Sequence, residues 1–154
     1  MKKVLFLHGL ESKPGGTKPT FLKSKGFKVF NPSLPKSSFE ESIKIAQKAV
    51  DEEQPDVIVG SSRGGAVALC LNLQGAGMVL VAPAWKRFDH SSNASVNSKC
   101  MILHSEADDI VDICDSRQLA KENSLDLIVV GHDHRMSDPD ALEGILDAVN
   151  WVCR

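Results

Sequence analysis

Short apolar runs, each followed by a stretch with helical spacing, recur along this chain. They fall at Val4–Leu7, Lys28–Phe30, Val57–Val59, Met78–Val81, Met101–Leu103 and Leu125–Val130. Each has strand length, is rich in Val, Ile and Leu, and mostly lacks apolar–polar alternation. That is the pattern of strands buried on both faces of a parallel sheet. Between them, Ser38 followed by Glu41 resembles a capping box, and Phe39, Ile43, Ala46 and Val50 trace one apolar stripe that runs out before Pro55. Near the end, "SDPD" (137–140) offers a cap and a first-turn proline, with Leu142, Ile145, Leu146, Val149 and Val152 following at helical spacing. Residues 64–73 are too apolar for an amphipathic helix and predict one packed deep against the sheet. The least regular stretches are 10–20 and 83–99. Strand alternating with helix in this way predicts an α/β fold: an open, mostly parallel sheet of about six strands with helices on both faces.

At 154 residues, without repeats or a linker long enough to divide it, the chain is expected to form a single domain, 1–154. Hydrophobic residues make up 42% and charged residues 25%, as in ordinary globular proteins. A net charge of −2 with scattered basic residues argues against nucleic-acid or membrane partners. The opening "MKKVLFLHGL" has too short an apolar run for a signal peptide or membrane span. Cys70, Cys100, Cys114 and Cys153 show neither metal nor redox-motif spacing, which predicts reduced thiols and a cytoplasmic protein.

In open α/β sheets the site lies outside the carboxyl ends of the strands. The residues that matter are therefore those just after each apolar run: His8-Gly9-Leu10, Ser61-Ser62-Arg63, Pro83 to Phe88, His104 to Asp109 and Gly131 to Arg135. A phosphate-binding loop is excluded by order. Counting from Gly9 in "GLESKPGGTK" puts Pro14 where the second glycine of G-x-x-x-x-G-K-[ST] must stand, and the lysine follows the threonine. No G-x-G-x-x-G follows the first strand. Gly60-Ser61-Ser62-Arg63-Gly64, by contrast, is G-x-S-x-G between a strand and a helix. There a serine is lifted from a strained turn at a helix N-terminus, and side chains two positions either side would strike backbone. A serine nucleophile needs an acid and a histidine after it in the chain. "HSEADDIVD" (104–112) and "GHDHRMSD" (131–138) supply them after successive strands, with Asp108 or Asp109 as acid and His134 or His132 as base. Upstream, "LFLHGL" places the Leu10 amide where, with that of Arg63, it could receive an oxyanion.

Taken together, "LHGLESKP", "NPSLP" (31–35), "VGSSRGG", the acid loop H-x-x-x-D-D-x-V and the late "DHR" resemble the α/β-hydrolase superfamily. Within it they are similar to small esterases of the YqiA type and the related retinoblastoma-binding serine hydrolases. The resemblance covers nearly the whole chain. It implies a compact three-layer α/β-hydrolase-like sandwich with strand order 2-1-3-4-5-6, the usual first two strands of the family being absent from this chain. It implies Ser62 as nucleophile, Asp108 as acid and His134 as base. The chain departs from the family at Arg63, where an apolar residue is common, and at Ser105, where glycine is common.

Other readings are weaker. His132, Asp133 and His134 with Asp108 or Asp109 could hold a metal, but two histidines two apart on a loop are a poor signal, and no metal and no cofactor is expected. The acids from Glu106 to Asp115 lack calcium-loop spacing. His8 and His104 are expected to be packed or loop-organising, and His90 has no assigned role. Arg63 and Trp85 are candidate substrate contacts, Arg63 for an anionic group. With only residues 83–99 between two strands, no lid domain is expected. The resulting expectation is a serine hydrolase, carboxylesterase-like, acting on a small-molecule acyl ester or thioester. The sequence leaves its oligomeric state open. The rivals are a protein-interaction module that keeps the hydrolase fold, and a flavodoxin-like nucleotide binder.

Overall fold

The computed structural model describes residues 1–88, 96 and 99–154. His90 and most of the stretch expected to be a lid-free loop therefore lie outside the described residues. Six strands form one sheet: β1 (Lys3–Leu7), β2 (Lys28–Phe30), β3 (Val57–Ser61), β4 (Gly77–Val81), β5 (Cys100–His104) and β6 (Asp126–Val129). Their order is β2-β1-β3-β4-β5-β6, and every neighbouring pair is parallel.

Side-chain parity divides the core in two. Val4 and Phe6 of β1, Val57 and Val59 of β3, Val79 and Val81 of β4, and Met101 and Leu103 of β5 share one face. Against it pack α1 (Thr17–Ser24) through Leu22 and α5 (Pro139–Val152) through Ala141, Ile145, Ala148, Val149 and Val152. The alternate residues, Leu5, Leu7, Ile58, Met78, Leu80 and Ile102, face α2 (Phe39–Glu53), α3 (Arg63–Ala68) and α4 (Ile113–Asn123). Burial on both sides removes these strands from water, which is why their sequences run apolar without alternation.

The helix ends follow their capping chemistry. The Ser38 hydroxyl accepts from the Glu41 amide at α2, and the Asp138 carboxylate accepts from the Ala141 amide at α5, with Pro139 at its first position. Two expectations need correction. The helix expected over 64–73 stops at Ala68, and the Gln47 side chain of α2 takes the backbone beyond it. Its amide accepts from the Asn72 N–H at 2.8 Å and donates to the Asn72 carbonyl at 3.1 Å, so Asn72 bonds to a neighbouring helix instead of extending its own. In the stretch 10–20, read as irregular, α1 begins at Thr17. Pro19 is tolerated there because first-turn N–H groups have no helical partner to lose.

Candidate active site

Strand order reverses at β1, so the loops after β1 and β3 open side by side. Such a switch point is where α/β sheets place their ligands. The loops after β5 and β6 close the same end of the sheet.

Ser62 sits between β3 and α3 with φ 55° and ψ −116°, a region that L-residues seldom enter. The turn is held from both sides. The Ser62 amide donates to the Val81 carbonyl at 2.9 Å, and the Ser62 carbonyl accepts from Gly65 at 2.9 Å and Ala84 at 3.0 Å. The glycines around it are sterically required. A Cβ on Gly60 would lie 2.5 Å from the Gly64 carbonyl oxygen, and one on Gly64 would overlap the carbonyl of Leu7.

Across this turn, Ser62 Oγ lies 3.0 Å from His134 Nε2, and His134 Nδ1 lies 2.7 Å from Asp108 Oδ2. The structure thus brings together three residues that the sequence places in separate segments. Of the alternatives, Asp109 is exposed. His132 turns away to Asp138 and Asp140 at 3.8 and 3.5 Å. Those three exposed or half-buried groups form a possible cation cluster, distinct from the set expected around His134.

The Asp108 carboxylate is fully buried. Its Oδ1 accepts from the amides of Ile110 and Val111, both at 2.8 Å. Burial alone would raise its pKa, but the Val111 amide, the His134 hydrogen bond and the Ile110 amide together outweigh it and hold the carboxyl below its ordinary range. The base loop is fixed at several points. Ser105 Oγ donates to the Gly131 carbonyl at 3.0 Å, Met136 is buried beneath the loop, and Lys18 Nζ donates to the Arg135 carbonyl at 2.5 Å. Burial lowers the Lys18 pKa to about 8, aided by the nearby Arg135 guanidinium and opposed by Asp133.

On the facing side, the Leu34 amide donates to His8 Nε2 at 3.0 Å, which leaves the ring proton on Nδ1 to donate to the Gly9 carbonyl at 2.8 Å. The Ser12 amide donates to the same carbonyl at 3.2 Å. In a trans peptide this fixes the opposing Leu10 N–H. Among the described residues neither the Leu10 nor the Arg63 amide has a hydrogen-bond partner, and Gly9 sits against Ser62 with space for only an ordinary contact.

Two expected substrate contacts are corrected. The Arg63 guanidinium is buried, donating to Ser42 Oγ at 3.2 Å and the Pro35 carbonyl at 3.0 Å beside the rings of Phe39 and Phe88. It ties α3 to the start of α2 and is not presented to a ligand. Trp85 is also buried, and its Nε1–H donates to the Asp115 carbonyl at 3.0 Å. It is part of the core. Sequence reading missed Ser105 as the link between acid and base loops, although its departure from glycine was a visible signal. It also missed what His104 does. That ring is fully buried, with Nδ1 2.6 Å from Ser116 Oγ and Nε2 3.0 Å from Asp108 Oδ2.

No protein-family model and no curated protein matches the sequence. Solved structures do match the fold. A "predicted CIB-like hydrolase" from Thermoplasma acidophilum superposes with a TM-score of 0.78 at 18% identity, over 99% of this chain and 86% of the other. The esterase domain of a Rhodothermus marinus protein gives 0.74 at 17% identity over 99% and 86%. Mouse alpha/beta hydrolase domain-containing protein 10 gives 0.72 at 16% over 96% and 88%. The chain has the α/β-hydrolase fold. That likeness does not single out esterases of the YqiA type.

Proposed function

We propose that this protein is a serine hydrolase that cleaves small acyl esters or thioesters through an acyl-enzyme on Ser62. The observation that carries the reading is the continuous hydrogen-bond chain from Ser62 Oγ through His134 to the buried Asp108 carboxylate. Ser62 Oγ attacks the acyl carbon as His134 Nε2 takes its proton. Asp108 Oδ2 accepts from His134 Nδ1–H, fixing the ring and stabilising its cation. The carbonyl oxygen becomes an oxyanion received by the amides of Leu10 and Arg63, which have no partner among the described residues. His134 then returns the proton to the leaving alcohol or thiol. A water, deprotonated by His134, resolves the acyl-enzyme to carboxylic acid and free Ser62. No step calls on a metal or cofactor. Supporting the reading at a coarser level, the structural neighbours include proteins described as hydrolases and an esterase domain.

The test is a fluorophosphonate probe with nitrophenyl acetate as reporter. Labelling should map to Ser62, and Ser62→Ala should abolish both labelling and turnover, a loss of roughly a millionfold in comparable enzymes. Activity persisting in the purified variant overturns the assignment. A folded wild-type protein that neither labels nor turns over would favour an interaction module.

A further inference from the structure

We propose that His104 is a positioning residue for the hydrolytic site, holding Asp108 by a second imidazole hydrogen bond on the oxygen that serves His134. The inference rests on the reaction proposed above. His104 closes β5, and Ser116 reaches it from α4; both side chains are fully buried. Its Nε2 faces two acceptors, Asp108 Oδ2 at 3.0 Å and the Val111 carbonyl at 2.9 Å, so that nitrogen carries a proton. Its Nδ1 lies 2.6 Å from Ser116 Oγ, whose hydroxyl can donate to it. The neutral ring meets every partner, with its one Nε2 proton shared between the Asp108 carboxylate and the Val111 carbonyl. The carboxylate accepts four hydrogen bonds: two backbone amides on Oδ1, and His104 and His134 on Oδ2.

Sharing Oδ2 has two consequences. The carboxylate cannot rotate away from His134 without breaking the bond to His104. The second donor also draws on the charge that Oδ2 presents to His134, so less of it is left to stabilise the imidazolium formed during the reaction. Loss of His104 should loosen the first effect and reverse the second.

The ring's two nitrogens can be replaced separately. In His104→Gln the amide nitrogen reaches the position of Nε2 and can still donate to Asp108. In His104→Asn the shorter side chain can meet Ser116 but not Asp108. His104→Asn should lower kcat about ten- to a hundredfold with little change in KM, the range for a hydrogen bond to a charged group. The acid limb of its kcat/KM profile should move to higher pH. His104→Gln should stay near wild type in both. Equal losses in the two variants with unmoved profiles would reduce His104 to packing and overturn the proposal. Ser62→Ala, run alongside, separates this failure from failure of the reaction itself. The unmodified protein supplies an arm that depends on neither folding of variants nor activity. Its imidazole ¹⁵N shifts should show His104 protonated on Nε2, and a proton on Nδ1 alone would overturn the proposal.

Discussion

Neighbouring residues of the same type have opposite fates at this site. Asp108 is buried under four donors, whereas Asp109 is exposed; His134 meets Ser62 and Asp108, whereas His132 is 71% exposed beside Asp138 and Asp140. Spacing alone left both choices open in the sequence, since it does not say which way a loop side chain points. The same limit explains Arg63 and Trp85. Each follows a strand at the right end of the sheet, and only the folded packing shows that both turn inward. Asp108→Asn and His134→Ala should cut kcat by about ten-thousandfold or more, while Asp109→Asn and His132→Ala should stay within a few-fold of wild type. Steady-state kinetics on the purified variants decides this, and addition of a chelator should leave the rate unchanged. Asp108 also carries a stability signature. Its folded pKa lies below its unfolded one, so the unfolded chain binds more protons between the two. Its contribution is therefore present above about pH 4 and is lost as pH falls through the folded value. In acid unfolding curves, Asp108→Asn should flatten that part of the slope.

At the level of elements, strands were more legible than helix ends. Burial on both faces gives a strand an apolar run with little ambiguity, and β4, buried at every position, lies within one residue of where the sequence suggests. A helix ends where a competing hydrogen bond wins, and the competitor can be distant. Past the end of α3 the Cys70 and Leu71 amides turn back onto the Val67 and Ala68 carbonyls, and Gln47, 25 residues away from Asn72 along the chain, then ties Asn72 to α2. Within α3 itself, helix propensity and packing disagree about Gly64. In a helix, alanine is preferred over glycine by about 1 kcal/mol. Here its Cβ would overlap the Leu7 carbonyl, which belongs to β1 and cannot swing aside. The clash should win, so Gly64→Ala is expected to destabilise by about 3 kcal/mol, the upper end for overpacking, and to lose fluorophosphonate labelling. Gly16→Ala is the control. Its φ is −69°, and a Cβ there meets only the Lys13 carbonyl oxygen at 3.9 Å, so the melting temperature should move little. Denaturant midpoints for the two variants test the contrast. A Gly64→Ala protein as stable as the Gly16→Ala one would show that the turn can relax.

Across the whole molecule, the site is assembled from the loops after β1, β3, β5 and β6, segments spread over more than a hundred residues of sequence. The rule that α/β sheets bind at their carboxyl ends made those loops findable. The cross-ties between them were not, because Ser105 to Gly131, His8 to Leu34 and Lys18 to Arg135 are single long-range contacts with no periodic signature. The same assembly bears on what can enter. Residues 82–99 connect β4 to β5, too few to build a separate helical lid over Ser62. Among the described residues, the exposed large apolar side chains closest in sequence to the reacting groups are Leu10, next to Gly9, and Ile110, two residues beyond Asp108, at 39% and 51% exposure. Two such side chains can grip a short acyl group, but a long chain needs a continuous apolar wall to recover its transfer free energy of about 0.8 kcal/mol per methylene. Arg63, buried against Phe39 and Phe88, offers no charge to an anionic substrate. The expected preference is therefore for short, water-soluble acyl esters. Nitrophenyl esters of increasing acyl length, assayed below and above their aggregation concentration, test it. kcat/KM should peak at two to four carbons, as a rough guide from that per-methylene gain, and should show no jump when the ester forms micelles. A steady climb with chain length would require an apolar wall at the site, and activation at the micelle would require a surface that opens there.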